Sequence, residues 1–168
     1  QYRRLLDLYR ENREKGGDRR TFLRQAAKLP GIYAPAFYET RYHCDGTIAS
    51  FTPTEEGIPA VIRKEMVMDM TDVPYPEKPV VPFIKITQDR VVLEIMRGCI
   101  RGCRFCQAGQ IYRPVRERDV DRLKQYAVTM LKNTGHEEIS LSSLSSSDYT
   151  RLDELLDFLI ADCGQKHT

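Results

Sequence analysis

The stretch Val91-Val92-Leu93-Glu94-Ile95-Met96-Arg97-Gly98-Cys99-Ile100-Arg101-Gly102-Cys103-Arg104-Phe105-Cys106 decides how this chain is read. Val91 to Met96 is a short apolar run with Glu94 as its one charge, and its loop-rich flanks predict a buried strand. Directly off its carboxyl end comes a loop carrying Cys99, Cys103 and Cys106 in a C-x3-C-x2-C spacing. Three soft thiolates within eight residues can cap three corners of an iron–sulfur cube, leaving the remaining iron open to a ligand. Gly98 and Gly102 stand where such a loop has to turn sharply.

Structural zinc is the plain alternative. A closed zinc site takes four ligands, usually from two short pairs. The other candidates here, His43, Cys44, His136, Cys163 and His167, form no second short pair. An odd count of five cysteines without a secretory signal also argues against a disulfide framework and for a reducing compartment. Cluster ligation is the stronger reading.

Outward from the loop, toward the carboxyl end, helix and strand alternate. Val120, Leu123, Ala127, Met130 and Leu131 share one helical face, predicting a helix over 119–132. Glu117, Asp119 and Asp121 near its start and Lys132 at its end complement the helix dipole, and Gly135 closes it. Residues 138–144 read as a second strand. A third helix follows, capped by Ser147 or Asp148, with Leu152, Leu155, Leu156, Leu159, Ile160 and Cys163 in helical spacing and Gly164 at its end. The order β-α-β-α opens a parallel α/β fold, whose ligands gather at the carboxyl ends of the strands. The cysteine loop and the run Ser142-Ser143-Leu144-Ser145-Ser146-Ser147 both emerge there and are expected to be neighbours.

Toward the amino end the pattern differs. Tyr2, Leu5, Leu6 and Tyr9 mark an amphipathic helix ended by Gly16-Gly17, and Asp18 caps a second helix that Pro30 stops. Residues 37–44 and 47–51 read as a hairpin around a two-residue Asp45-Gly46 turn. A further strand is expected over 60–68, with Met66, Met68 and Met70 as one packed strand face. Pro74, Pro76, Pro79 and Pro82 then hold the backbone extended as a semi-rigid linker over 71–86, between a region 1–70 and a domain 87–168.

The cysteine spacing, with aromatic Phe105 before the third cysteine, resembles the radical S-adenosylmethionine (SAM) superfamily. The likeness runs on through Asp89 to Met96, Gln107-Ala108-Gly109 and Tyr112 to Arg118. With Pro30 to Pro35, Phe37-Tyr38 and the serine run, that longer text is similar to the subfamily in which a cobalamin-binding domain precedes the radical SAM domain. The resemblance implies an α/β chain holding the start of a partial TIM-type barrel, two βα units, preceded by helices and a β-hairpin linker region. It also implies an internal fragment, incomplete as an enzyme by itself. The implied cofactors are a 4Fe–4S cluster on Cys99, Cys103 and Cys106, and SAM, with Phe105, Ser143 and Ser145 as candidate SAM contacts. An electron from an external donor would then cleave SAM to methionine and a 5′-deoxyadenosyl radical, on a substrate the sequence does not name. The Gly-Gly-Glu-like segment that grips the SAM amino group in many relatives is replaced here by serines. A cobalamin-ligating Asp-x-His-x-x-Gly pattern is absent, so any cobalamin site belongs upstream of Gln1 and not to this fragment.

The sequence has no stretch approaching the ~20 apolar residues of a membrane span, and a cytoplasmic protein is expected. The rival from another class is a zinc-stabilised RNA-binding module. Residues 97–124 carry an excess of five positive charges, which could meet phosphate, although the net charge of the whole chain is only +2.

Overall fold

Residues 2–163 are described by the computed structural model. They fall into two compact units that divide between Met66 and Val67.

In the first unit, α1 (Tyr2–Glu14) and α2 (Arg19–Ala26) are separated by Gly16-Gly17. Asp18 caps α2 as expected, its carboxylate accepting from Thr21 N at 2.7 Å. Strands β1 (Tyr38–Tyr42) and β2 (Ile48–Pro53) form an antiparallel hairpin, with Tyr38 opposite Pro53. Its loop is longer than the two residues expected. His43 N donates to Thr47 O, so Cys44-Asp45-Gly46 forms a three-residue loop with Gly46 in the left-handed region. Asp45 is drawn out of a tight turn because its carboxylate accepts from both Thr47 N and Thr47 Oγ1. A small core of Ala27, Ala34, Phe37 and Ile58 closes the unit.

The strand expected over 60–68 does not form. An apolar alternation makes a strand only where a ladder partner exists, and β1 and β2 pair with each other alone among the described residues. The methionine face fails with it, since Met70 is buried and Met68 exposed.

The second unit holds the α/β pattern. Strand β3 (Val91–Glu94) is followed by the short β4 (Met96–Arg97), the cysteine loop, helix α3 (Gln107–Ile111) and the short β5 (Arg116–Glu117). Then come α4 (Val120–Thr134), β6 (Ile139–Ser142), a 3₁₀ turn over Ser146–Asp148 and α5 (Leu152–Phe158). Residues Leu159–Cys163 widen into a π-helical turn. β3 and β6 are parallel, Val91 beside Ile139 and Glu94 beside Ser142, whereas β4 and β5 are antiparallel. One face of the parallel pair packs on α4, burying Val91, Leu93, Ile95, Leu123, Ala127 and Leu155 in one core. Asp119 caps α4 through Arg122 N, and Gly135, at φ 73°, ends it.

The third helix departs from expectation at its start. Position Arg151 precedes α5 with no side-chain cap, because the helix begins at Leu152 and Ser147 and Asp148 lie in the preceding 3₁₀ turn, where Asp148 bonds Arg101 instead. Gly164 and His167 lie outside the described residues.

Within the second unit, the first part of the proline-rich segment is fastened to β3 and α4. Tyr75 OH donates to Val92 O at 2.6 Å and accepts from Glu94 N at 2.9 Å. Its ring stacks on Tyr126 with centroids 5.0 Å apart. Arg118, with no exposed side-chain surface, donates to Met70 O, Val73 O and Glu94 O.

Tyr149 is buried, and its hydroxyl donates to Arg118 O at 2.9 Å. Burial, aided by the carboxylates of Glu117 and Asp119, pushes this hydroxyl up from 10.0 to about 12. A group that ionises later in the folded chain contributes stability that is complete below the unfolded value and is lost as pH climbs through the folded one. Denaturant unfolding is therefore expected to weaken by ~2 kcal/mol between about pH 9 and 11.5, with a smaller decline in Tyr149→Phe.

Candidate metal centre

The cysteine loop leaves the carboxyl end of β3, and two contacts fix where it starts. Ile95 N donates to Ser142 O at 3.1 Å, continuing the parallel ladder, and Arg118 N donates to Ile95 O at 2.9 Å. Gly98 then turns the chain at φ 88°. A Cβ there would meet Pro114 O at 2.7 Å, Tyr112 O at 2.8 Å and Val115 Cα at 2.9 Å. The backbone of residues 112–115 thus forms the wall against which the loop is folded. Gly102 differs from the sequence expectation: it has no positive φ, and a Cβ there would meet nothing within 4 Å.

Cys99 is buried, Cys106 half-buried and Cys103 exposed, and all three are free thiols. Arg101 N donates to Cys99 Sγ at 3.4 Å. Cys106 is the N-cap of α3, and its Sγ accepts from Gly109 N at 3.4 Å. Two of the three sulfurs thus already accept a backbone N–H, the kind of donor that stabilises cluster thiolates. Among the described residues no group of three His, Cys, Asp or Glu side chains is close enough to hold a metal ion, so the sulfurs share one loop without converging. The donor chemistry nevertheless fits an iron–sulfur cluster, with three free cysteines and directed amides on one short loop.

Among the described residues the zinc alternative finds no fourth ligand gathered nearby, and His167 lies outside them. His136 Nδ1 lies 3.5 Å from Asp89 Oδ1, Cys163 packs against the core, and Cys44 sits in the hairpin loop of the first unit.

Phe105 stands out from the loop, 92% exposed, rather than packing within it. Ser143 and Ser145 lie where β6 ends, as expected, at the same end of the sheet as the cysteine loop. Their turn is internally bonded: Ser143 Oγ pairs with Ser146 Oγ at 2.9 Å and accepts from Ser145 N at 3.1 Å. The two loops are joined by Arg101, whose guanidinium grips the Asp148 carboxylate.

The excess of positive charge around the loop is largely spent within the unit. Arg97 makes two bonds to Glu94, at 2.7 and 2.8 Å, and holds that carboxyl below its usual range. Arg116 reaches the carbonyls of Val67, Tyr112 and Pro114, and Lys124 bonds Glu154 at 2.7 Å. Glu94, Tyr75 and Arg118 form a charged, aromatic anchor behind the loop that sequence reasoning missed. A lone charge inside the apolar run of β3 was the available signal, because a half-buried charge in an apolar strand needs a partner.

An uncharacterized protein of Methanocaldococcus jannaschii is 43% identical over 68 residues, which make up 40% of this chain and 15% of the relative. The chain thus matches only a small part of that relative's length. No solved structure matches the chain. The sequence model of the Radical SAM superfamily, a group of iron–sulfur enzymes that cleave SAM, matches residues 93–167, from within β3 through the cysteine loop and beyond.

Proposed function

We propose that the second unit is the cluster-binding opening of a radical SAM enzyme, with Cys99, Cys103 and Cys106 as ligands of a 4Fe–4S cluster. The observation that carries the reading is a C-x3-C-x2-C loop of free thiols at the carboxyl end of a parallel β-α-β unit, within the family match. When bound, the cluster and SAM supply the chemistry: one electron from an external donor breaks a carbon–sulfur bond, giving methionine and a 5′-deoxyadenosyl radical.

The chain's own groups bind and orient. Arg101 N and Gly109 N hold two sulfurs by hydrogen bonds. The exposed Phe105 ring is free to meet the adenine, and the turn bearing Ser143 and Ser145 offers hydroxyls and carbonyls to the SAM amino group. The uncovered face of the β3–β6 pair, with half-exposed Val92 and Glu94 beside Ser140 and Ser142, belongs to the interior of a larger partial barrel in this reading. That the full protein carries a cobalamin-binding domain, and that it works in the cytoplasm, are parts of the same proposal and rest on the sequence resemblance and on reduced thiols. No helix among the described residues is long and apolar enough to cross a membrane.

Anaerobic reconstitution with iron and sulfide tests the reading. Electron paramagnetic resonance of the reduced chain is expected to show a 4Fe–4S signal that changes on adding SAM. Alanine at Cys99, Cys103 or Cys106 is expected to lower cluster iron about ten-fold or more. Stoichiometric zinc in place of iron and sulfide would sink the radical reading and promote the RNA-binding module.

A further inference from the structure

The cysteine loop is tied to the neighbouring loop by one ion pair. Arg101 Nε donates to Asp148 Oδ2 at 2.8 Å, and Arg101 Nη2 donates to the other carboxylate oxygen. The Asp148 side chain is 8% exposed and that of Arg101 is 60% exposed, so the carboxylate is the fixed end and the guanidinium the arm. Asp148 is fixed because its turn is pinned on each side. Asp148 N donates to Ser145 O at 3.0 Å, Tyr149 OH to Arg118 O at 2.9 Å, and Thr150 N to Glu117 Oε1 at 2.9 Å.

At the other end, Arg101 stands between Cys99 and Cys103 and its own N–H points at Cys99 Sγ.

We propose that Asp148 is a positioning residue for the cysteine loop: through Arg101 it seats the Cys99–Cys103 arm beside the carboxyl ends of β3 and β6, and it neutralises a guanidinium that would otherwise be a free cation beside the cluster. The charge half of this proposal rests on the cluster reading above; the tether half does not. A bidentate arginine–carboxylate pair fixes direction as well as distance, which a single lysine bond cannot do. Its charges also cancel at the site. Removing Asp148 leaves an unpaired cation, which favours the reduced, more negative cluster. Removing Arg101 leaves an unpaired anion, which disfavours it.

Two measurements on the chain test the halves separately. In the cluster-free chain, iodoacetamide labelling read by mass spectrometry is expected to modify Cys99 about five-fold faster in Asp148→Asn than in the parent. Cys44, in the other unit, serves as the unchanged control. Arg101→Lys, a change at an exposed side chain that spares the fold, is expected to speed Cys99 labelling as well. Equal Cys99 rates in parent and both variants would overturn the tether.

In the reconstituted chain, a mediated redox titration followed by electron paramagnetic resonance reads the charge effect. The cluster potential is expected to rise in Asp148→Asn, fall in Arg101→Gln and return near the parent value in the double variant. Arg101→Lys, which keeps the charge, leaves it near the parent. A residue that merely supported the fold would not give compensating shifts of opposite sign. Shifts of one sign, or none, overturn the charge role. If the parent takes up no cluster, the cluster reading and the charge role fail together, while the labelling result still decides the tether.

Discussion

Gly98→Ala is expected to destabilise the second unit by about 2–5 kcal/mol in urea unfolding and to abolish cluster uptake. Two costs coincide at this position. The backbone sits at φ 88°, where an L side chain is strained, and the added methyl would meet two carbonyl oxygens and a Cα at 2.7 to 2.9 Å. Those atoms are backbone and cannot rotate away, so the loop itself has to move. Cys99 is the next residue and shifts with it. Gly102→Ala is the matched control in the same loop. With open space around it and no positive φ, it is expected to change stability by less than about 0.5 kcal/mol and to leave iron content intact. Equal behaviour of the two variants would show that the wall formed by residues 112–115 does not set the loop.

Arg118→Met is expected to cost about 3–5 kcal/mol, read by the same unfolding measurement. The guanidinium is fully buried and supplies donors to Met70 O, Val73 O and Glu94 O at 3.0 to 3.3 Å. Its Nη2 makes no hydrogen bond but lies 3.6 Å from Glu94 Oε2, an ion-pair distance. The plane rests over the Tyr75 ring, 4.9 Å from its centroid, with Tyr126 at 5.7 Å. Methionine fills much of the volume and strands the carbonyls. Unsatisfied buried acceptors, more than the lost attraction, set the size of the effect. Arg118→Lys keeps the charge but loses the fork, so an intermediate loss is expected.

The sequence made the second unit legible because its signals are local. The apolar run over 91–96, the heptad-like face of α4 and Gly135 each report a structure formed within a few residues; the last two appear where expected, whereas the run breaks after Glu94 and its end, Met96, turns to pair with β5. The cysteine loop stands out for the same reason, since its three thiols are set by local spacing, although the sulfurs do not converge in the structure. The misses are long-range. Nothing near residues 60–68 states that no partner strand will be offered to them. Asp148 reads as a helix cap, but it ends the 3₁₀ turn before α5 and its carboxylate meets Arg101, 47 positions away. Arg118 is one arginine among many in a basic stretch, and only the fold reveals that it is buried under two tyrosines.

The tyrosine that docks beside β3 has a consequence for how this sheet can grow. Val92 O and Glu94 N point away from β6, and a single hydroxyl, Tyr75 OH, serves both of them, while Arg118 Nε occupies Glu94 O. Side chains therefore stand where the backbone of another strand would have to lie. The flank is closed to edge-to-edge pairing with a second molecule, a hazard that an unpaired strand otherwise presents. Any strand that joins this sheet by backbone bonding must arrive beside β6, so growth of the sheet from the β3–β6 pair is one-directional, with Tyr75 as its terminus.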